Sequence, residues 1–378
     1  MQRGGICDHI GFGFHRYSTD AEWLVPHFEK MCEDNAKWLQ LYLHAYQTTG
    51  EPFYADISKG IIDYVKTWLC DRENGCFYGS QDADEEYYNH TKSERANLKA
   101  PYVDKNLYTN WNAMMISSFL EASFILGDMS LRDDAIKSLQ RLLALNYKPS
   151  EGMYHFYDDQ PRLHNQLADQ AQTARTLCLA YESTGDERYL RSAEELITVA
   201  TDQLYNHEHG GYFDTAVDPN APGFLSKPAK PLEENSAAAR ALLKLHHLTG
   251  KENYRKHAEE TLKRFVEIYP QFGFMGAEYA IAVDAFLNEP TKVQIVGSLD
   301  KPQTKALLTE AHRIYEPRKV IQVLDPSKHH ETIATLGYPI TEQPTAYICV
   351  GRVCTAPITE PKQIATELSN MTAAQFRK

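Results

Sequence analysis

The chain has no run of basic residues and no apolar stretch long enough to span a membrane, and each absence removes a class of function. With 39 Lys and Arg against 51 Asp and Glu, the net charge is −12. A surface for nucleic acid or an anionic membrane is therefore not expected. The seven cysteines are odd in number and scattered, with no Cys-x-x-Cys pair and no zinc-type spacing. They fit reduced cytoplasmic thiols better than a secreted disulfide frame. The N-terminus lacks the plan of a signal peptide. His207, His209, His329 and His330 have no matching carboxylate cluster, so neither a metal nor another cofactor is expected. These readings point to a cytoplasmic protein without a nucleic-acid or membrane partner; the small-molecule ligand expected of it belongs to the mouth of the predicted fold.

What the chain does have is a glycine repeat. Gly50, Gly127, Gly185 and Gly250 each close an apolar-periodic stretch, and Gly75, Gly152, Gly210 and Gly273 follow at intervals of 25, 25, 25 and 23 residues. That length holds one helix and a turn, so the unit is a helical hairpin used repeatedly. Helices rich in apolar residues, such as Trp111, Met114, Met115, Phe119 and Ala122, alternate with charged amphipathic ones such as 188–197. Short aromatic loops follow the second glycine of each pair. The predicted fold is mainly α, an α/α toroid over residues 1–289 whose functional mouth is lined by those loops and by the N-termini of the inner helices.

After Asn288-Glu289-Pro290 the pattern becomes β-rich, with strands predicted at 292–296, 320–324 and 347–350 and helices at 304–315 and 363–369. Residues 290–378 read as a small α/β domain whose segment 343–353 is similar to the proline, strand and hairpin that end a thioredoxin fold. A two-residue turn at Gly351-Arg352 places Cys349 opposite Cys354, with Cα atoms roughly 4.5–5.5 Å apart. The pair is expected close, and reduced.

The densest chemistry is N-terminal. His15, Arg16, Tyr17, His27, Glu29 and Lys30 fall within one short stretch before an inner helix. Taken alone they read either as a hydrogen-bonded cluster anchoring a loop or as a polar site with His15 or His27 moving a proton near neutral pH. Asp82 and Asp84, two apart in a loop, read either as turn and cap residues or as a carboxylate pair. Polar pairs recur at inner-helix starts: Asp34-Asn35, Trp111-Asn112, Asp169-Gln170 and Glu234-Asn235. These residues serve as caps, or line the lumen as hydrogen-bonding groups beside the stacking surface of Trp111.

The motifs 4-Gly-Gly-Ile-6, Asp8, Gly11, 13–18 and 23–31 resemble the thioredoxin-domain-containing family that includes spermatogenesis-associated protein 20, with Phe12 standing where that family has glycine. Ser80-Gln81-Asp82-Ala83-Asp84, Asp104-Lys105 and Thr109-Asn110-Trp111-Asn112 extend the resemblance over most of residues 4–290. Members of that family begin with a thioredoxin-like domain bearing a Cys-x-x-Cys centre, and this chain starts after it. The stretch from Asp84 to Lys105 is also short for the family, and with nine or so helices readable, one or more hairpins of a six-hairpin ring are expected to be absent. The barrel is similar to that of N-acylglucosamine 2-epimerase and, more distantly, to six-hairpin glycosidases.

That resemblance implies sugar epimerase- or isomerase-like acid–base chemistry in the cleft. His15, His27, Glu29, Asp82 and Asp84 are then the catalytic candidates. Arg16, Tyr17, Lys30, Asn35, Lys105, Trp111, Asn112, Asp169, Glu234 and Asn235 are the substrate-binding ones. A non-catalytic module binding a sugar or other ligand remains open, as does a scaffold or redox-linked protein working with a separate thioredoxin-like domain.

Overall fold

A computed structural model describes residues 1–217, 220 and 222–375. The chain divides into two compact units, Met1–His164 and Asn165–Lys378.

In the first unit, β1 (Tyr17–Ser18), β2 (Pro26–His27) and β3 (Lys30–Met31) lead into α1 (Cys32–Thr49) and α2 (Pro52–Tyr64). Next come β4 (Ser80–Gln81), the short helices α3 (Glu85–Asn89) and α4 (Lys92–Arg95), β5 (Val103–Asp104) and β6 (Leu107–Tyr108). A second hairpin, α5 (Thr109–Ile125) with α6 (Met129–Asn146), precedes β7 (Tyr147–Lys148), β8 (Gly152–Tyr157) and β9 (Pro161–His164). The inner helix α5 is apolar nearly all round and buries Met115, Ile116, Phe119 and Leu120 completely. Each such side chain contributes about 1.5–3 kcal/mol of transfer free energy. The aromatic loop predicted after Gly152 is a β-hairpin, because Tyr154, Phe156 and Tyr157 pair across to His164, Arg162 and Pro161.

The second unit continues with α7 (Leu167–Thr184), α8 (Glu187–Leu204), α9 (Leu232–Thr249), α10 (Glu252–Lys263) and α11 (Ala277–Leu287). Gly50, Gly185 and Gly250 end α1, α7 and α9 in the left-handed conformation, each donating its N–H to a carbonyl one turn back. Among the described residues the hairpin region therefore holds four complete pairs and the single helix α11.

The small sheet belongs to this second unit. β10 (Thr291–Val296), α12 (Pro302–Arg313), β11 (Lys319–Leu324), α13 (His330–Leu336), β12 (Thr345–Val350), β13 (Val353–Cys354) and α14 (Pro361–Gln375) give the strand order β11-β10-β12-β13. β10 is parallel to β11 and antiparallel to β12. Val293, Ile295, Ile321, Ile348, Leu307 and Ile364 form the core between sheet and helices. Glu182 of α7 ties the sheet to the hairpins, accepting from Ile321 N at 2.9 Å and from Lys244 Nζ at 2.9 Å.

At the sheet edge Val350 pairs with Val353 and Cys349 with Cys354, around Gly351 at φ 58°. The expectation of a reduced pair is corrected here: the sulfurs are bonded and the Cα atoms lie 4.1 Å apart. A two-residue turn makes this a non-hydrogen-bonded pair, the closer of the two antiparallel kinds, so the thiols are brought together by the backbone.

Candidate functional site

The loops at the start of α1 and α5 are joined by a short ladder. Lys30 pairs with Gln81 and Gln81 with Val103, while Met31 pairs with Ser80 and Ser80 with Asp104. Because α1 begins directly after β3 and α5 directly after β6, Arg16, Glu29, Asp34, Asp82, Asp104, Tyr108 and Trp111 all come to one end of the first unit. Gly79 permits this crowding, since a Cβ there would lie 2.7 Å from the Tyr108 ring and 2.9 Å from Asp104 Oδ2.

The structure separates the predicted residues into groups that are used up and groups that are not. Lys30 is 1% exposed, donates to Asp8 Oδ2 at 2.7 Å and to the Phe12 carbonyl at 2.8 Å, and lies over the Tyr64 and Tyr88 rings. Arg95 completes the cluster with bonds of 3.0 and 2.8 Å to the same carboxylate. Burial pulls the Lys30 pKa down to about 8 against the opposing pull of Asp8. Burial alone would raise Asp8, but Lys30 and Arg95 outweigh it and hold the carboxyl well below the usual range. The expected role of Lys30 in orienting substrate is therefore corrected: the ammonium is sealed inside a cation–carboxylate–cation triad. Arg95 is the partner that sequence reasoning missed, 87 residues away from Asp8 in the chain.

The three asparagines are corrected in the same way. Asn35 Oδ1 accepts from Phe14 N at 2.8 Å, and Nδ2 donates to Phe14 O and Met31 O. Asn112 does the same with Phe77 and Tyr108, and Asn235 with Tyr212 and Pro231. Each is the fourth residue of its inner helix and at most 1% exposed. Their amides clamp the aromatic loop to the helix start rather than facing a ligand.

His15 is 2% exposed, with Nδ1 2.8 Å from the Phe28 carbonyl and the ring edge-on to Phe28 and Tyr88. A carbonyl only accepts, so Nδ1 carries the proton. Burial, reinforced by the Lys30 charge, lowers its pKa to about 4. The tautomer is thus set by backbone and not by Glu29, whose Oε2 pairs with Arg16 at 3.3 Å. His27 is half-buried, stacked on Tyr17 at 5.0 Å, and its buried Nδ1 has no hydrogen-bond partner among the described residues. Asp84 caps α3 through Tyr87 N at 2.8 Å, and Asp82 is exposed and accepts from Ala83 N. Lys105 is exposed, its Nζ 5.8 Å from the Tyr78 ring centre.

What remains open at this end is a carboxylate at the start of α1 and an aromatic shelf at the start of α5. Asp34, third residue of α1, is half-buried, and its Oδ2 is buried with no hydrogen-bond partner among the described residues. Burial, with Glu33 next, raises its pKa to about 6. Trp111 holds the same third position in α5, half-buried, its ring 4.3 Å from Tyr108, whose hydroxyl donates to Asp104 at 3.0 Å. The His155 and Phe156 rings stand 5.9 Å from Tyr108. Cys32 Sγ, 3.9 Å from the Trp111 carbonyl, marks how close the two helix starts lie. In the second unit the third positions of α7 and α9 are Asp169, fully buried, and Glu234, half-buried. The repeated spacing therefore carries two messages: in three of the four helices an asparagine at position four clamps the loop, and position three holds an acid or an aromatic. A separate apolar cavity of about 190 Å³, lined by Phe12, Phe14, Phe53, Ile57 and Ile61 among others, contains none of these groups.

Among the described residues no helix is long and apolar enough to cross a membrane. No family model matches the chain. Over 96% of its length it is 26% identical to human spermatogenesis-associated protein 20, and it is 25% identical to the rat protein of that name. The chain spans about 61% of the human relative's length. The matched stretch runs over 481 residues, more than the 378 of this chain, so the relative has internal segments without a counterpart here. Among solved structures, a sugar epimerase from a ruminal bacterium aligns with TM-score 0.55 and 15% identity over 70% of this chain and 67% of its own. Cellobiose 2-epimerase from Bacillus thermoamylovorans gives 0.56 and 10% over the same shares. A family 76 glycoside hydrolase from a bovine Bacteroides thetaiotaomicron strain gives 0.52 and 13% over 68% and 52%. At these identities the likeness is one of fold. The chain is thus a homologue of the spermatogenesis-associated protein 20 proteins, with the mainly α fold of the α/α toroids followed by a small sheet domain.

Proposed function

We propose that the loop end of the first unit binds a sugar and that Asp34 moves a proton there. The carrying observation is the Asp34 carboxyl, one oxygen of which is buried without a partner while its pKa rises to about 6. Both protonation states of such a group are populated near neutral pH, which general acid–base catalysis requires. In this reading the sugar ring stacks on Trp111 and Tyr108, the Arg16–Glu29 pair and Asp82 hydrogen-bond its hydroxyls, and Asp34 exchanges the proton on the carbon beside the carbonyl. His27, half-buried against Tyr17, returns the proton on the other face. His15 holds the loop through Phe28 and does not touch substrate. The likeness of the fold to sugar epimerases supports the substrate class.

The test is incubation with reducing sugars and N-acylhexosamines in heavy water. Deuterium should enter C2, and Asp34→Asn should abolish this while leaving binding within a few-fold. Binding without exchange, in the parent protein, would move the reading to a binding module. Neither binding nor exchange would move it to a scaffold working with another domain.

A further inference from the structure

Independently of the sugar reading, the edge of the small sheet carries its own chemistry, in the Cys349–Cys354 bond. Five other cysteines are free, four of them buried. Burial raises the thiols of Cys7 and Cys70 to about 11 and that of Cys76 to about 12, and pushes Cys32 and Cys178 further up. They stay protonated and inert. The hairpin pair differs from them in being bonded and in having one member, Cys354, exposed.

The bond adds little as a staple. It closes a separation of 5 residues, and the backbone already closes that loop. Val350 pairs with Val353, Thr355 N donates to Ile348 O at 3.0 Å, and Ile358 bridges to Ala346. Cross-linking a loop this short removes the least entropy from the unfolded chain. The two sulfurs are also unequal. Cys354 lies in the exposed edge strand next to exposed Val353, whereas Cys349 is 6% exposed in the central strand β12. An incoming thiolate reaches Cys354 alone. On the other side of the bond, Lys292 is the residue directly opposite Cys349 on β10, so both side chains share one face of the sheet. The Tyr338 hydroxyl is 3.4 Å from Cys349 Sγ on that same face. The Tyr338 hydroxyl gives its proton to Gln294 Oε1, so the positive charge carried by the cross-strand Lys292 is what favours departure of the inner sulfur as thiolate.

We propose that the Cys349–Cys354 hairpin is a thiol–disulfide exchange site whose reductant is a dithiol. The first thiolate of the reductant attacks Cys354 Sγ, the S–S bond breaks, and its electron pair leaves on Cys349 Sγ, which then takes a proton from solvent. The second thiol of the reductant loses its proton and attacks its own sulfur in the mixed disulfide, releasing Cys354 as thiolate. The reductant ends as a disulfide and the hairpin as two thiols, a two-electron transfer. A monothiol stops at the mixed disulfide on Cys354.

The experiment uses the full native chain. Isolated in air and labelled with a maleimide, it should show neither Cys349 nor Cys354 modified. After millimolar dithiothreitol without denaturant Cys354 should label, while Cys7, Cys32, Cys76 and Cys178 stay unmodified. Reduced glutathione should leave an adduct that peptide mass spectrometry places on Cys354, and Lys292→Gln should slow release of Cys349 by about threefold. Labelling of both cysteines before reduction, a bond that yields only after unfolding, a glutathione adduct on Cys349, or an unchanged rate in Lys292→Gln would each overturn the proposal as stated.

Discussion

Two charged assemblies grow from the same N-terminal segment and end with opposite fates. Asp8, Lys30 and Arg95 close on one another in the interior, every charge matched by a partner or an aromatic face. Asp34, four residues beyond Lys30, sits where burial has removed water from one oxygen and no partner among the described residues replaces it. The first arrangement specifies the loop and the second leaves a group able to react. What separates them is the count of hydrogen-bond partners, since both contain buried carboxylates in a dense charged stretch.

The largest effect should come from opening the closed assembly. Lys30→Met leaves Asp8 short of a cation in the interior, and breaking a buried pair costs about 3–5 kcal/mol. Urea denaturation of the variant checks this, and a loss comparable to a surface change would show that Arg95 alone satisfies Asp8. A slightly smaller loss should follow Asn112→Ala, which strands the N–H and carbonyl of Phe77 in the core at about 1–3 kcal/mol for each buried group left unsatisfied. Its chain neighbour makes the contrast sharp. Trp111→Ala should leave stability nearer the parent yet weaken sugar binding measured by calorimetry, because the ring is only half-buried.

At the open assembly the sign reverses. The Asp34 pKa of about 6 lies above its ordinary value of 3.8, so below 3.8 the group is neutral folded or unfolded and carries no penalty. Between pH 3.8 and about 6 the unfolded chain ionises first, and stability falls as pH rises, with the penalty complete above pH 6. Asp34→Asn should therefore gain about 3 kcal/mol at pH 7.5 and nothing at pH 3.5, with loss of the proposed exchange reaction. Thermal melts at the two pH values decide it; equal gains at both would remove the charge argument.

The smallest effect concerns Phe12, which sits at φ 58° where the resembling family has glycine. Its ring packs over Gly60, whose missing Cβ makes the room, and remains 46% exposed. Phe12→Gly relieves about 1–2 kcal/mol of left-handed strain and forfeits a similar amount of burial, so the net change in urea midpoint should be within about 1 kcal/mol of zero. A large loss would make the ring a needed wall of the apolar cavity.

Much of this was legible along the chain because its causes are local. Gly50, Gly185 and Gly250 mark helix ends since a left-handed cap favours glycine whatever lies around it, and the 25-residue interval sets the hairpin length. The short β-rich runs at 292–296, 320–324 and 347–350 likewise foretold strands, and a two-residue turn fixed the Cys349–Cys354 register. The short helices α3 and α4 went unseen, being too brief to show a period.

Roles were decided by tertiary structure, because a side chain's chemistry depends on which partners arrive from far along the chain. Sequence placed Asp34 and Asn35, Trp111 and Asn112, side by side at helix starts. Only folding brought Phe14 and Phe77 back to consume the asparagines, Arg95 to consume Asp8, and the Phe28 carbonyl to consume His15. It also left one oxygen of Asp34 without a partner among the described residues, which no spacing rule predicts. Burial is a property of the whole packed chain, and with it go the pKa values that divide the paired charges from the unpartnered one.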